Sequence, residues 1–379
     1  MENTRTAQPR IPADIQIRER YRGCLLGGAV GDALGAAVEF MARQEIVRRF
    51  GEPGIQDYVS AYGRTGAITD DTQMTLFTAD GLLRVHVRSV LRGIDASYAG
   101  VTAHAYLRWL DTQGIRSPLL LSDGPQGWLI THRELFSRRA PGRTCISALQ
   151  ELRSFDSPAQ NNSKGCGGVM RVAPVGMYFA NTVANSKAPI EVLRHTFRLG
   201  TQIAAITHGH PTGQLPAGVL SVLIASLLAG NTFDTALRQA MEILAEHGDS
   251  RETVDAMELA RTLAAGKTPP KEAIRSIGEG WIAEEALAIA IYCTLVSTDL
   301  ESGIVLAVNH DGDSDSTGAI AGHLLGAMHG AAAIPDRWLQ PLELRETIVA
   351  VADDLATVAD WRLDDEAEGQ FYWDRYPGY

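Results

Sequence analysis

The sequence predicts an all-α protein folded as one domain. Three observations carry this: apolar residues recur at helical spacing from Tyr21 onward, strand signals are sparse, and no Gly/Ser-rich linker divides the chain. Residues 1–18 are polar and contain two prolines, which reads as a flexible arm. Gly23, Gly27, Gly31 and Gly35 follow at four-residue intervals, as do Gly318, Gly322, Gly326 and Gly330. That spacing lines glycines along one ridge of a helix and permits close backbone approach. Each glycine costs about 1 kcal/mol of helix propensity relative to alanine. Tight helix pairing in the core is the offsetting gain.

Between the two ridges, residues 55–62 are the best short strand candidate. Met74, Phe77, Gly81 and Leu82 follow Thr69-Asp70-Asp71 with helical periodicity, and Thr69 is placed to cap that helix. Further helical runs cover 96–111, 190–206, 215–229, 234–247, 252–265, 282–297, 317–333 and 343–359. The longest apolar stretch, Leu215 to Ala229, is short for a membrane span and is interrupted by Pro216, Ser221 and Ser226, so it reads as a buried core helix. An acidic, aromatic tail runs from Trp361 to Tyr379; it either caps the bundle or contacts another copy.

Composition narrows the function classes. The formal net charge of −11 argues against broad binding to nucleic acid or anionic membrane. An anionic small molecule is still admissible, because helix N-termini and metal ions supply local positive potential. Cys24, Cys145, Cys166 and Cys293 are scattered with no C-x-x-C pair, the pattern of free thiols in a reducing compartment. The first twenty residues contain no apolar secretory core, and the expected location is cytoplasmic.

Chemistry concentrates in two acidic clusters, Thr69-Asp70-Asp71-Thr72 and Asp311-Gly-Asp313-Ser-Asp315-Ser316-Thr317. Both lie at helix starts. Acidic first turns commonly serve only the helix dipole, and Asp70 and Asp71 alone would suit that role. Three aspartates at alternate positions cannot share one helical face, so the second cluster suits a loop turning oxygens toward one point. An EF-hand fails, because Ser316 stands where its turn glycine is required and Gly322 where its bidentate glutamate belongs. The donors are hard oxygens without Cys or His at ligand spacing, which favours Mg²⁺ or Mn²⁺ over zinc, in a two-metal site built from both clusters. His208 and His210 sit in one tight turn without partner cysteines and do not read as zinc ligands.

With these clusters in place, the chain resembles the ADP-ribosylglycohydrolases, the family of the dinitrogenase reductase-activating glycohydrolase. The matching segments are Gly23 to Gly35 with Glu39, Gly66 to Met74, Arg139 to Thr144, Ser163 to Arg171, Thr207 to Pro211 and Gly312 to Gly318. They occur in the family's order from about residue 20 to about 360.

The resemblance implies a compact all-α domain over 19–360 with a binuclear metal cleft. It implies two Mg²⁺ (or Mn²⁺) held by Thr69, Asp70, Asp71, Asp313, Asp315 and Ser316. Asp311 falls outside that set and is expected to be a loop or cap residue. Glu39 matches a flap carboxylate that approaches the scissile ribose in some members; a solvated glutamate at a helix end is the alternative. Gly142, Arg143 and Thr144 look like a helix start facing a pyrophosphate. Ser163, Gly165, Gly167 and Gly168 would bring backbone amides to the same diphosphate. His208 would line the adenosine side. Cys166 stands where other branches carry asparagine, and no base able to activate it as a nucleophile is visible in the sequence.

The activity implied is hydrolysis of the glycosidic bond between ADP-ribose and a protein side chain, arginine first, with serine linkages and small ADP-ribose derivatives also within the family's range. Catalysis would fall to Glu39, Asp70, Asp71 and Asp315. The partners implied are an ADP-ribosylated protein or an ADP-ribose derivative. A binding role is the alternative: the arm at 1–18 plugging the cleft of an ADP-ribosyltransferase toxin. A non-catalytic relative is a third reading, disfavoured because all six candidate ligands are present.

Overall fold

A computed structural model describes residues 13–120, 126–155 and 157–378. Among the described residues the regular structure is helical, with seventeen α-helices and only two isolated bridges in place of a sheet. The first half contains α1 (Ala13–Gly35), α2 (Arg43–Phe50), α3 (Asp70–Arg92), α4 (Tyr98–Thr112), α5 (Arg143–Glu151), α6 (Ala173–Asn185) and α7 (Pro189–Ala205). Then come α8 (Leu215–Leu228), α9 (Phe233–Leu244), α10 (Arg251–Ala265), α11 (Pro270–Ile277), α12 (Ala283–Val296) and α13 (Leu300–Val308). The chain closes with α14 (Ser314–His329), α15 (Asp336–Leu339), α16 (Arg345–Thr357) and α17 (Glu366–Arg375). Helix α8 is buried along its whole length, the core helix that its apolar sequence predicts.

The two glycine ridges pack against each other. β-Carbons built on Gly23, Gly27 and Gly31 would lie 2.4, 2.3 and 2.0 Å from the carbonyl oxygens of Gly326, Gly322 and Gly318. The reversed order makes α1 and α14 antiparallel, in the most extensive helix pairing of the molecule. Gly330 departs from the expected ridge: at φ +79° it ends α14 as the C-cap. Gly322→Ala is expected to cost about 3 kcal/mol, the upper end of overpacking penalties, because its β-carbon would meet the Gly27 carbonyl oxygen at 2.0 Å. Chemical denaturation measures this directly.

Other sequence expectations change. Helix α1 begins at Ala13, so residues 13–18 of the expected arm are helical. Residues 1–12, which carry most of the toxin-plugging reading, lie outside the described residues. Residues 55–62 form no strand. Ile55 exchanges its backbone hydrogen bonds with the Asn309 side chain (2.8 Å each way), and the Gln56 carbonyl accepts from Trp338 Nε1 at 2.9 Å. With those groups satisfied by side chains, the segment has no need of a partner strand. Residues 361–378 pack onto the body: Trp361 stacks on Tyr372 at 3.6 Å, and Tyr376 is buried with its hydroxyl donating to Asp354.

Candidate metal centre and active-site cleft

Three helix ends converge because α1 and α14 are antiparallel. Their pairing sets the end of α1 against the start of α14, where a β-carbon on Gly35 would lie 2.4 Å from the Ser314 carbonyl oxygen. Asp32, one turn before Gly35, reaches the start of α3. Its buried carboxylate accepts from the amides of Thr69 (3.0 Å) and Thr72 (3.1 Å) and from Thr72 Oγ1 (2.5 Å). Thr69 caps α3, its hydroxyl accepting from the Asp71 amide at 3.3 Å. On the other side Gly312, at φ +117°, lets the loop before α14 press against Glu279, whose carbonyl accepts from the Asp313 amide at 2.8 Å.

This framework delivers Glu39, Asp70, Asp71, Asp313, Asp315 and Ser316 to the wall of one cavity of about 210 Å³. Glu39, Asp313 and Asp315 each place a carboxylate oxygen within 4.8 Å of the other two. All six residues are buried, so Glu39 is not a solvated helix-end glutamate. Glu39 Oε2 and Asp71 Oδ1 are buried without a hydrogen-bond partner among the described residues.

The electrostatics are those of an under-neutralised acidic pocket. Burial first and the Asp315 charge second raise Asp70 and Asp71 well above the usual carboxylate range. Asp315 is raised in turn by burial and by Asp313. Glu39 is pushed up to about 11 by burial, then by Asp315, Asp313 and Asp70. Asp32 rises to about 7 from burial and Asp315, in spite of its hydrogen bonds. Hard oxygen donors, two orphaned carboxylate atoms and mutual repulsion fit a divalent cation such as Mg²⁺ or Mn²⁺.

The candidate substrate-binding residues divide into two sets. Gly142, Arg143, Thr144, Gly165, Gly167 and His208 line the same cavity. The Gly142 amide, at the start of α5, donates to Asp70 Oδ2 at 3.3 Å. Ser163 and Gly168 are not among its lining residues. Ser163 Oγ sits 3.0 Å from Thr144 Oγ1 and accepts from the Gly165 amide at 3.3 Å, so it braces the loop. Gly168 is a packing glycine, where a β-carbon would meet the Gly213 carbonyl oxygen at 2.7 Å. Thr69 supports the wall through its contact with Asp71 (Oγ1 to Oδ2, 3.5 Å). Asp311 accepts from the Arg43 amide at 2.8 Å and caps α2 from outside, as expected of a cap residue.

His208 is held in a defined state. Arg171 donates to Thr207 Oγ1 at 2.6 Å, and Thr207 Oγ1 lies 2.8 Å from His208 Nδ1. The Ala204 carbonyl, 3.5 Å from Thr207 Oγ1, completes the surroundings of that hydroxyl. Burial, then the Arg171 charge, lowers its pKa to about 3. His208 is therefore neutral, with Nε2 next to the glycines at 165 and 167.

Several contributors escape sequence reasoning. Trp281 lines the cavity and stacks on the exposed Phe40, beside Glu39, at 5.8 Å and 16°. Arg139 and Glu343 form a buried ion pair that also binds the Ile68 backbone, fixing the approach to α3. Asp32 lies between Gly31 and Gly35 of the first glycine ridge, and its role depends on the helix crossing. Asp32→Ala is expected to weaken Mn²⁺ affinity about 10- to 100-fold, the usual loss when a supporting partner of a ligand is removed. Isothermal calorimetry provides the test.

Comparison with known proteins agrees with this geometry. The family profile described as ADP-ribosylglycohydrolase matches residues 13–364. The ADP-ribosyl-[dinitrogen reductase] glycohydrolase of Rhodospirillum rubrum is 24% identical, over 87% of this chain and 92% of its own. The ADP-ribosylarginine hydrolase Tri1 of Pseudomonas putida is 23% identical, over 90% and 78% respectively. A solved structure titled ADP-ribosylglycohydrolase-related protein complex superposes with a TM-score of 0.63 at 26% identity, covering 91% of this chain and 99% of that one. A profile spanning nearly the whole chain, on a helical fold shared with a solved relative, shows that the chain belongs to the ADP-ribosylglycohydrolase family.

Proposed function

We propose that this protein hydrolyses the glycosidic bond joining ADP-ribose to a protein side chain, arginine in the first instance, using two Mg²⁺ or Mn²⁺ ions. The observation that carries the reading is the meeting of Asp70 and Asp71 with Asp313, Asp315 and Glu39 in one cavity that also holds the start of α5 and His208. Divalent cations bound there would neutralise the carboxylates and supply Lewis acidity toward ribose hydroxyls and a water.

The protein's own groups divide the remaining work. Asp70, Asp71, Asp313, Asp315 and Ser316 would hold the cations, with the Thr69 hydroxyl behind Asp71 completing the set that the resemblance implies. The start of α5 at Gly142, with Arg143 and Thr144, faces the diphosphate with amide dipoles and a guanidinium. His208 presents a neutral imidazole edge to the ligand through Nε2. Glu39, whose Oε2 is free of partners, gives or takes a proton at the ribose as oxocarbenium character develops. The acidic pocket suits that positive charge.

The arginine linkage is supported by the name of the Pseudomonas putida relative, an ADP-ribosylarginine hydrolase. Defined arginine- and serine-linked ADP-ribosyl peptides, assayed in parallel with Mg²⁺ and Mn²⁺, test both parts. Release of ADP-ribose from the arginine peptide is expected. Cleavage of the serine peptide alone overturns the linkage; cleavage of neither overturns the hydrolase reading.

A further inference from the structure

The cavity holds a donor of a different kind. The Cys166 thiol donates to Asp313 Oδ2 at 2.8 Å, its Sγ lies 3.6 Å from Ser316 Oγ, and Cys166 lines the cavity. In the same wall Glu39 Oε2 and Asp71 Oδ1 are buried and, among the described residues, unpartnered; those residues are only 7% and 3% exposed. The same cavity wall thus combines two carboxylate oxygens open to a cation with a thiol that bonds Asp313.

We propose that Cys166 is a metal ligand, giving this centre a site for thiophilic divalent cations (Co²⁺, Zn²⁺ or Cd²⁺) through Cys166 Sγ, Asp313 Oδ2 and Ser316 Oγ. The inference rests on the metal-centre reading above. Metal–sulfur bonds of about 2.3 Å and metal–oxygen bonds of about 2.1 Å set the two donors about 3.1 Å apart at a right angle and about 3.6 Å apart at a tetrahedral angle. The Asp313 contact is a few tenths shorter than the first figure, and the Ser316 contact matches the second. The loop carrying the thiol is fixed: the Cys166 amide donates to the Trp281 carbonyl at 3.2 Å, and the Lys164 carbonyl accepts from the Ala283 amide at 2.8 Å. Sulfur is preorganised at the centre.

Binding breaks the S–H bond, passes its proton to solvent and forms one metal–sulfur bond, with no electron transferred. Thiolate ligation favours softer cations, so the site gains affinity for Co²⁺, Zn²⁺ and Cd²⁺ that an oxygen-only centre lacks.

Cobalt titration of the full-length protein reads this out independently of activity. Wild type is expected to develop a thiolate-to-cobalt charge-transfer band in the near ultraviolet. The band is lost in Cys166→Ser, kept in Cys145→Ser (the other thiol on the cavity wall), and Cd²⁺ affinity by calorimetry falls at least about tenfold in Cys166→Ser. A band that survives Cys166→Ser, or disappears only in Cys145→Ser, overturns the proposal. Cobalt bound by calorimetry without any band overturns it too, while leaving the metal centre standing. If neither Co²⁺ nor Mn²⁺ binds wild type, this proposal and the metal-dependent reading fail together.

Discussion

Asp315→Ala is expected to lower kcat/KM for ADP-ribose release on the order of 10³-fold, with Asp70→Ala close behind. Asp315 is the charge that most raises Asp70, Asp71 and Glu39, so it sits electrically at the centre of the group. Losing a ligand there forfeits several kcal/mol of transition-state charge stabilisation, and about 4 kcal/mol corresponds to that rate factor. Two companions separate this from misfolding. Asp315→Asn keeps the shape, removes one buried like charge, and is expected to melt higher than wild type in the presence of a chelator. Asp311→Ala removes only the external cap of α2, costs about 1 kcal/mol of stability and leaves ADP-ribose release nearly unchanged. Comparable losses in Asp311→Ala and Asp315→Ala would mean that the loop matters as scaffold only.

The second large effect is a metal-dependent stability that grows with pH. Glu39 moves from 4.5 to about 11 and Asp32 from 3.8 to about 7 on folding. Below their unfolded values both states hold the proton and nothing is lost. As pH rises above those values the unfolded chain releases protons that the folded chain retains, so stability falls. For Asp32 this decline runs from about pH 4 to about 7, and for Glu39 it continues upward. Each retained proton costs about 1.4 kcal/mol per pH unit. In chelator the melting temperature is therefore expected to fall between pH 5 and about pH 8. Mn²⁺ reverses this by replacing protons as the neutralising charge, adding about 2.7 kcal/mol at a hundredfold excess over Kd. The gain from Mn²⁺ is thus greater at pH 8 than at pH 6. A gain that is absent, or larger at the lower pH, contradicts the electrostatic account; thermal unfolding with and without metal decides.

Much of this architecture was legible because the helices are regular and the glycine periodicity is strong. Helices expected at 96–111, 190–206 and 252–265 appear as Tyr98–Thr112, Pro189–Ala205 and Arg251–Ala265. Thr69 was readable as a cap because Thr-Asp-Asp before an apolar-periodic run is a local signal. Helices α2, α6, α11, α13, α15 and α17 lie outside the runs expected from sequence. Helix α2 buries only Ile46, leaving little apolar period to detect, and α6 opens on Ala173-Pro174, which reads as a break although proline suits a first turn. The candidate ligands announced themselves as acidic clusters, but their supports did not. Asp32, Trp281 and the Arg139–Glu343 pair act across gaps of tens to hundreds of residues, which no local pattern reports. Residues 55–62 misled for a related reason, since a side chain from Asn309 takes the place of a strand partner.

Anomalous diffraction from a Mn²⁺-soaked crystal tests the central claim most directly. Two manganese peaks are expected inside the cavity, between the carboxylates of Asp70 and Asp71 on one side and those of Asp313 and Asp315 on the other. Manganese peaks confined to other parts of the molecule, with these carboxylates left bare, would contradict it.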